Sequence, residues 1–96
     1  MKKVVTFGEV MIRLCPQENL RISQVCPGSV DLTFGGAEST VAASIAYLGG
    51  NSAFVTSLPD NFITESFLRQ MKGFGVDTDM IHLTDTGRFG VYYVEK

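Results

Sequence analysis

The first apolar run, Lys3 to Phe7, holds Val4, Val5 and Phe7 and ends on Gly8-Glu9. A short apolar stretch closed by a glycine predicts a buried central strand of a parallel sheet. Three short extended stretches follow at Val10 to Leu14, Arg21 to Val25 and Val30 to Phe34, divided by Pro16 and by Pro27-Gly28-Ser29. Turn formers at that spacing predict a small meander of strands. Within the third stretch, alternation sets Val30, Leu32 and Phe34 on one face and Asp31 and Thr33 on the other, so one face packs and one meets solvent or ligand.

From Ala37 to Leu48 the period becomes helical. Val41, Ile45 and Leu48 fall at i, i+4 and i+7 with Ala42 and Ala46 beside them, a stripe whose small residues permit close approach to a sheet; Gly49-Gly50 is a natural stop. Ala53 to Leu58 reads as a second central strand, making strand, helix and strand a parallel crossover into which the meander is inserted. Ile63, Phe67, Leu68 and Met71 mark a second helix, opened by Pro59-Asp60-Asn61 or Thr64 and closed near Gly73 or Gly75. Met80 to Leu83 predicts a third sheet strand. Arg88 to Glu95 predicts a last one, its alternation separating Phe89, Val91 and Tyr93 from Gly90, Tyr92 and Val94.

Size and charge narrow the function. A chain of 96 residues is one small domain at most, and its 45% hydrophobic and 19% charged residues are those of a chain that folds. The net charge is -2 and the basic residues do not cluster beyond Lys2-Lys3, which argues against nucleic acid and membrane as partners. Met1-Lys2-Lys3 runs straight into Val4-Val5 without a secretory cleavage pattern, so a cytoplasmic location is expected. Cys15, Cys26 and His82 lack the spacing of a metal or redox motif, and no metal site is expected.

The most informative chemistry lies in Phe34-Gly35-Gly36-Ala37-Glu38-Ser39-Thr40. Glycines allow positive φ and close approach of a ligand to the main chain. The first amides of the helix that follows have no intrahelical acceptor and stand at the positive end of its dipole. Such a junction suits hydroxyls, carboxylates or phosphates. The same two glycines also serve a tight strand-to-helix turn that binds nothing.

Taken with Gly8-Glu9, Arg13-Leu14-Cys15-Pro16, Leu48-Gly49-Gly50, Ala53-Phe54-Val55-Thr56 and Phe74-Gly75-Val76-Asp77-Thr78, this run resembles the amino-terminal part of the ribokinase-like (PfkB-type) carbohydrate kinases. The pattern Gly8-Glu9, Arg13-Leu14-Cys15-Pro16 and Gly35 to Glu38 is most similar to the 2-keto-3-deoxygluconate kinases. The resemblance implies an α/β fold, the amino-terminal part of a parallel α/β sandwich with a small inserted β-sheet as lid. Residues 1–96 are then a fragment of one kinase domain, with 10–34 and 88–96 as lid strands. It further implies a substrate site at Gly36 and Tyr92, with Gly35, Ala37, Glu38 and Arg88 as adjacent matches and Thr40 at a further substrate-binding position.

Two departures bear on specificity. Many sugar kinases of the family carry aspartate where Arg13 stands, which argues against a ribokinase or fructokinase. Thr40 stands where asparagine is usual and lacks the amide's paired donor and acceptor. The family reaction is phosphoryl transfer from MgATP to a primary hydroxyl, using a late aspartate as base and a glycine-rich helix start. Neither element is among these residues, and no phosphate loop of the Gly-x-x-x-x-Gly-Lys-Ser/Thr type is present.

The expectation is therefore the substrate-binding and lid portion of an ATP-dependent kinase for a sugar acid, 2-keto-3-deoxygluconate. ATP and Mg2+ serve the full-length enzyme, no residue of this stretch is assigned to catalysis, and the fragment alone is expected to be inactive and to bind neither cofactor. Alternatives are another PfkB-type sugar kinase, fructokinase-like or ribokinase-like, and a non-catalytic module that self-associates as a homodimer through its lid strands.

Overall fold

The computed structural model describes residues 2–95. Met1 and Lys96, the ends of the 1–96 fragment assignment and of the 88–96 lid segment, lie outside the described residues. The element order is β1 (Val4–Phe7), β2 (Met11–Cys15), a 3-10 turn (Ile22–Gln24), β3 (Asp31–Gly35), α1 (Ala37–Tyr47), β4 (Ser52–Val55), β5 (Ser57–Pro59), α2 (Phe62–Phe74), β6 (His82–Thr84) and β7 (Gly90–Tyr93).

Parallel β1 and β4 bracket α1, as a strand-helix-strand crossover requires, and β2 and β3 are inserted between β1 and the helix. The predicted strand from Ala53 to Leu58 is broken at Thr56, where the partner changes. β4 pairs with β1 on one side and bridges Asp77 on the other, whereas β5 pairs with β6 in parallel. Lys3 reaches across to Asp77 with Nζ 2.6 Å from Oδ2. That ammonium, then the Asp79 amide, hold the Asp77 carboxyl below its ordinary value.

The inserted strands make a second sheet of order β3-β2-β7. β3 runs antiparallel to β2 and β7 runs parallel to it, with Met11 opposite both Gly35 and Gly90, and Arg13 opposite both Thr33 and Tyr92. Beyond the last paired residue the Glu95 carboxylate accepts the Ile22 amide at 2.8 Å and an Arg21 guanidinium nitrogen at 3.2 Å, tying the end of β7 to the 3-10 turn. The Ile22 amide, then Arg21, lower the Glu95 carboxyl from its usual range.

Both helices end as their glycines dictate. Gly49 and Gly75 take φ of 91° and 92°, and the amides of Gly50 and Val76 return to the carbonyls of Ile45 and Met71, closing each last turn. α2 begins on Asn61, whose side chain accepts the Thr64 amide at 3.0 Å. Its buried stripe is the expected one, with Phe67 and Met71 in the core and Ile63 and Leu68 packed against it.

The core joins the two sheets through α2. Val10, Ile12 and Phe89 from the inserted sheet and its flanks meet Phe54 and Leu58 from β4 and β5, with Ala42 of α1. Phe34 lies edge-on to Phe67 at 5.2 Å between centroids, and Phe67 in turn lies edge-on to Phe54 at 6.1 Å.

Four expectations are corrected. Arg21 to Val25 is not extended, because the Gln24 and Val25 amides turn back to the carbonyls of Arg21 and Ile22. On α1 the small members of the expected stripe pack, Ala42 buried beside Ser39 and Ala46 against the core, whereas Val41 and Leu48 are exposed, the latter at 83%, because only small side chains let the helix lie close to β1 and β4. In β3 only Phe34 of the apolar face packs, while Val30 and Leu32 are exposed. Nor is β1 buried. Among the described residues it pairs with β4 alone, and Phe7 is 76% exposed.

The molecule is correspondingly open. Its radius of gyration is 14.8 Å, against about 12.5 Å for a compact chain of this length. Its accessible surface is 6424 Å², where about 5,400 Å² is usual for the mass.

Candidate functional site

Three chain segments converge where β3 hands over to α1. β3 ends at Gly35 and Gly36 caps the helix with φ 151° and ψ 123°, a conformation that favours glycine. The Gly36 carbonyl closes the first turn, accepting the Thr40 amide at 3.1 Å, the Thr40 hydroxyl at 2.9 Å and the Ser39 hydroxyl at 3.0 Å. A methyl group on Gly36 would lie 2.5 Å from the carbonyl oxygen of Glu9, so the turn is pressed against the chain leaving β1.

Tyr92 arrives from the opposite edge of the inserted sheet. It stands beside Arg13 on β7, and its ring leans across β2 to cover Gly35. A methyl group on Gly35 would collide with the phenol oxygen and lie 3.1 Å from Cε1 and Cζ. Because β2 and β7 run parallel from nearly opposite ends of the chain, this approach depends wholly on their register.

Glu38, in the first turn of α1, folds back on Gly8 at the end of β1. A methyl group on Gly8 would sit 2.6 Å from its carboxyl carbon and 2.7 Å from Oε1, so Gly8 serves as the landing for that carboxylate. An acid there also complements the positive end of the helix. Glu9 Oε1 would lie 3.8 Å from a methyl group on Gly90, which brings a second carboxylate to the rim.

Gly35, Gly36, Glu38 and Tyr92 are thus brought together, with Ala37 exposed on the first turn. Thr40 and Arg88 stand apart from them. The Thr40 hydroxyl is engaged by Gly36, and its side chain lines a cavity of about 550 Å³ with Ala43, Ser44, Tyr47, Leu48 and Phe74. Arg88 is exposed in the connection ahead of β7, with no side-chain hydrogen bond or ion pair among the described residues. Gly8 was outside the predicted site; it entered as a strand end and as part of the Gly8-Glu9 match, neither of which says what lies on it.

No group of three or more His, Cys, Asp or Glu side chains suited to a metal ion gathers among the described residues. Neither is any described helix long and apolar enough to cross a membrane.

The sequence profile described as pfkB family carbohydrate kinase matches residues 1–96. The chain belongs to that family. It is 36% identical over 94 residues to a 2-dehydro-3-deoxygalactonokinase of Haloferax volcanii, covering 98% of this chain and 29% of the relative. A fructokinase of Solanum tuberosum is 32% identical over 91 residues, covering 95% of this chain and 28% of the relative. Among solved structures, the 2-dehydro-3-deoxygluconokinase of Thermotoga maritima superposes with a TM-score of 0.91 at 44% identity, over 99% of this chain and 28% of that one. A fructokinase of Xylella fastidiosa with bound ATP gives 0.81 at 28% identity, over 95% and 26%. The chain therefore spans less than a third of the length of these pfkB relatives, and its fold is the amino-terminal part of a ribokinase-like α/β sandwich with an inserted small sheet.

Proposed function

We propose that this chain forms the sugar-binding and lid portion of a pfkB kinase acting on a 2-keto-3-deoxy sugar acid. The observation that carries the reading is the Tyr92 phenol lying over Gly35, beside the Gly36 turn and the first amides of α1. The 2-dehydro-3-deoxy sugar kinases among its relatives support the substrate class. In this reading the first α1 amides donate to a carbonyl or hydroxyl of the sugar, while the phenol packs on its carbon chain and bonds a hydroxyl. Gly35, Ala37 and Glu38 shape the rim, and Thr40 and Arg88 act from the second row. The β3-β2-β7 sheet is the lid, residues 10–34 and 88–96 supplying its strands and the remainder the α/β core.

ATP supplies the transferred phosphoryl group, and Mg2+ offsets the charge on its phosphates. No described cluster of His, Cys, Asp or Glu suits a metal ion; in this reading ATP and Mg2+ are held by parts of the family fold beyond the matched stretch, and the chain alone does not turn over. The setting is cytoplasmic. A second reading is favoured by exposed Leu32, Val91 and Tyr93 on one face of the inserted sheet, through which two copies associate.

Calorimetric titration with 2-keto-3-deoxygluconate tests the first reading. Binding lost in Tyr92→Ala, with the circular dichroism unchanged, is the expected result. Absence of binding together with a concentration-dependent dimer in sedimentation would overturn it in favour of the second.

A further inference from the structure

We propose that Glu38 is a positioning residue, which by lying on Gly8 sets the angle at which the Gly36 turn presents the first amides of α1, a role that rests on the site reading above. Ala37 and Thr40 on the same turn of helix are exposed, whereas Glu38 is half-buried. Its side chain lies back along the chain leaving β1. The three atoms nearest to a methyl group placed on Gly8 all belong to it, Cδ at 2.6 Å, Oε1 at 2.7 Å and Cγ at 2.8 Å.

The helix start therefore meets the end of β1 at two points. The Gly36 turn presses on the Glu9 carbonyl, where a methyl group would lie 2.5 Å from the oxygen, and two residues further on Glu38 covers Gly8. One point of contact is a pivot, and a second fixes the rotation about it. Ser39 and Thr40 hold the turn onto the helix, their hydroxyls donating to the Gly36 carbonyl at 3.0 Å and 2.9 Å. The Gly36 and Glu38 contacts hold it against β1, which is itself anchored to β4, with the Gly8 amide donating to the Val55 carbonyl at 3.3 Å. Tyr92 reaches the same turn from the inserted sheet. The distance from the amides to the phenol, on which the fit of a ligand depends, is thus set by how firmly α1 is keyed to the α/β core.

Glycine at position 8 makes the place for the carboxylate. Alanine there meets first the far end of a flexible side chain, so the fold adjusts by moving Glu38 off its landing while its charge stays in the first turn. Positioning is thereby separated from the favourable interaction of an acid with the helix dipole. Glu38→Gln removes the charge and leaves the stem in place; Gly8→Ala leaves the charge and displaces the stem.

The test is a double-mutant cycle on the 96-residue chain, read by the backbone amide NMR shifts of Gly36 and Ala37 and by calorimetric affinity for 2-keto-3-deoxygluconate. Gly8→Ala and Glu38→Ala are each expected to move both shifts and to weaken the sugar by about threefold to tenfold, as for residues coupled by contact. The double variant is expected to bind no more weakly than either single one, and Glu38→Gln to recover most of the loss. A dipole role gives the reverse pattern, full loss in Glu38→Gln and none in Gly8→Ala, and overturns the proposal, as do losses that multiply in the double variant. Failure of the wild type to bind the sugar overturns the site reading, and the amide shifts then decide whether Glu38 keys the turn: shifts moved in common by the two substitutions uphold it, and wild-type shifts in Gly8→Ala refute it. Should Gly8→Ala be unfolded by circular dichroism, refolding in the double variant upholds the contact and an unfolded double variant overturns it.

Discussion

Replacing Gly36 by alanine sets two costs against each other's absence at Gly73. At Gly36 the new methyl would stand 2.5 Å from the Glu9 carbonyl oxygen, and φ of 151° is one that L side chains rarely adopt. The obstacle is backbone at the end of β1, so no side-chain rotation relieves it. Strained φ costs about 1–3 kcal/mol, and crowding in a packed site costs about 1–3 kcal/mol more. The sum, about 2–6 kcal/mol, is a large part of a native stability of about 5–15 kcal/mol. For a domain of this size each kcal/mol moves Tm by about 4–8 °C. Gly36→Ala should therefore melt at least about 8 °C lower than the wild type. Gly73 lies inside α2 with nothing within 4 Å of an added methyl. There alanine gains about 0.5–1 kcal/mol of helix propensity, and Tm should rise by about 2–8 °C. Thermal melts followed by circular dichroism at 222 nm compare the two. Equal Tm values for the two variants would refute the reasoning.

Phe67 is 2% exposed and touches both Phe34 and Phe54, so it bridges the inserted sheet to β4. Phe67→Ala should cost about 3–5 kcal/mol, read as a lower urea midpoint; a wild-type midpoint would show that the sheets are held otherwise. Acid should destabilise the protein through Asp77 and Glu95. Both carboxyls are lowered in the fold, so their contribution is present above the ordinary values of 3.8 and 4.5 and disappears as pH falls through the lowered ones. Urea midpoints should hold steady down to about pH 5 and decline below it, less so in Asp77→Asn; a decline already under way near neutrality would contradict this.

Local chemistry carried much of the fold. Asn61 and Gly75 bound α2 because a side-chain acceptor and a left-handed cap act within one turn, and Phe67 and Met71 recur at the helical period. On α1 the small residues Ala42 and Ala46 pack as their size predicts, whereas Val41 and Leu48 of the same stripe stay exposed: periodicity picks the larger apolar residues, yet the helix lies against β1 and β4 on its small ones. Arg21 to Val25 looked extended from its composition, whereas the Gln24 side chain accepts the Arg21 amide and winds the segment into a turn. At the candidate site, the glycine doublet and Tyr92 were visible by resemblance. Their closeness was not, because it depends on a parallel register between β2 and β7 that no local pattern encodes. The landing of Glu38 on Gly8 was hidden likewise, since it joins a helix start to a strand end across the insertion.

The pairing of Met11 with Gly90 has a temporal consequence. On the ribosome the β2–β3 hairpin is free to close early, being local, but β2 keeps one row of amides and carbonyls open until almost the whole stretch has emerged. Only then does the tyrosine swing over the glycine turn. The contact between Tyr92 and the glycine turn is consequently among the last to form as this region folds, and the nascent hairpin spends the interval with an edge that another strand is able to occupy.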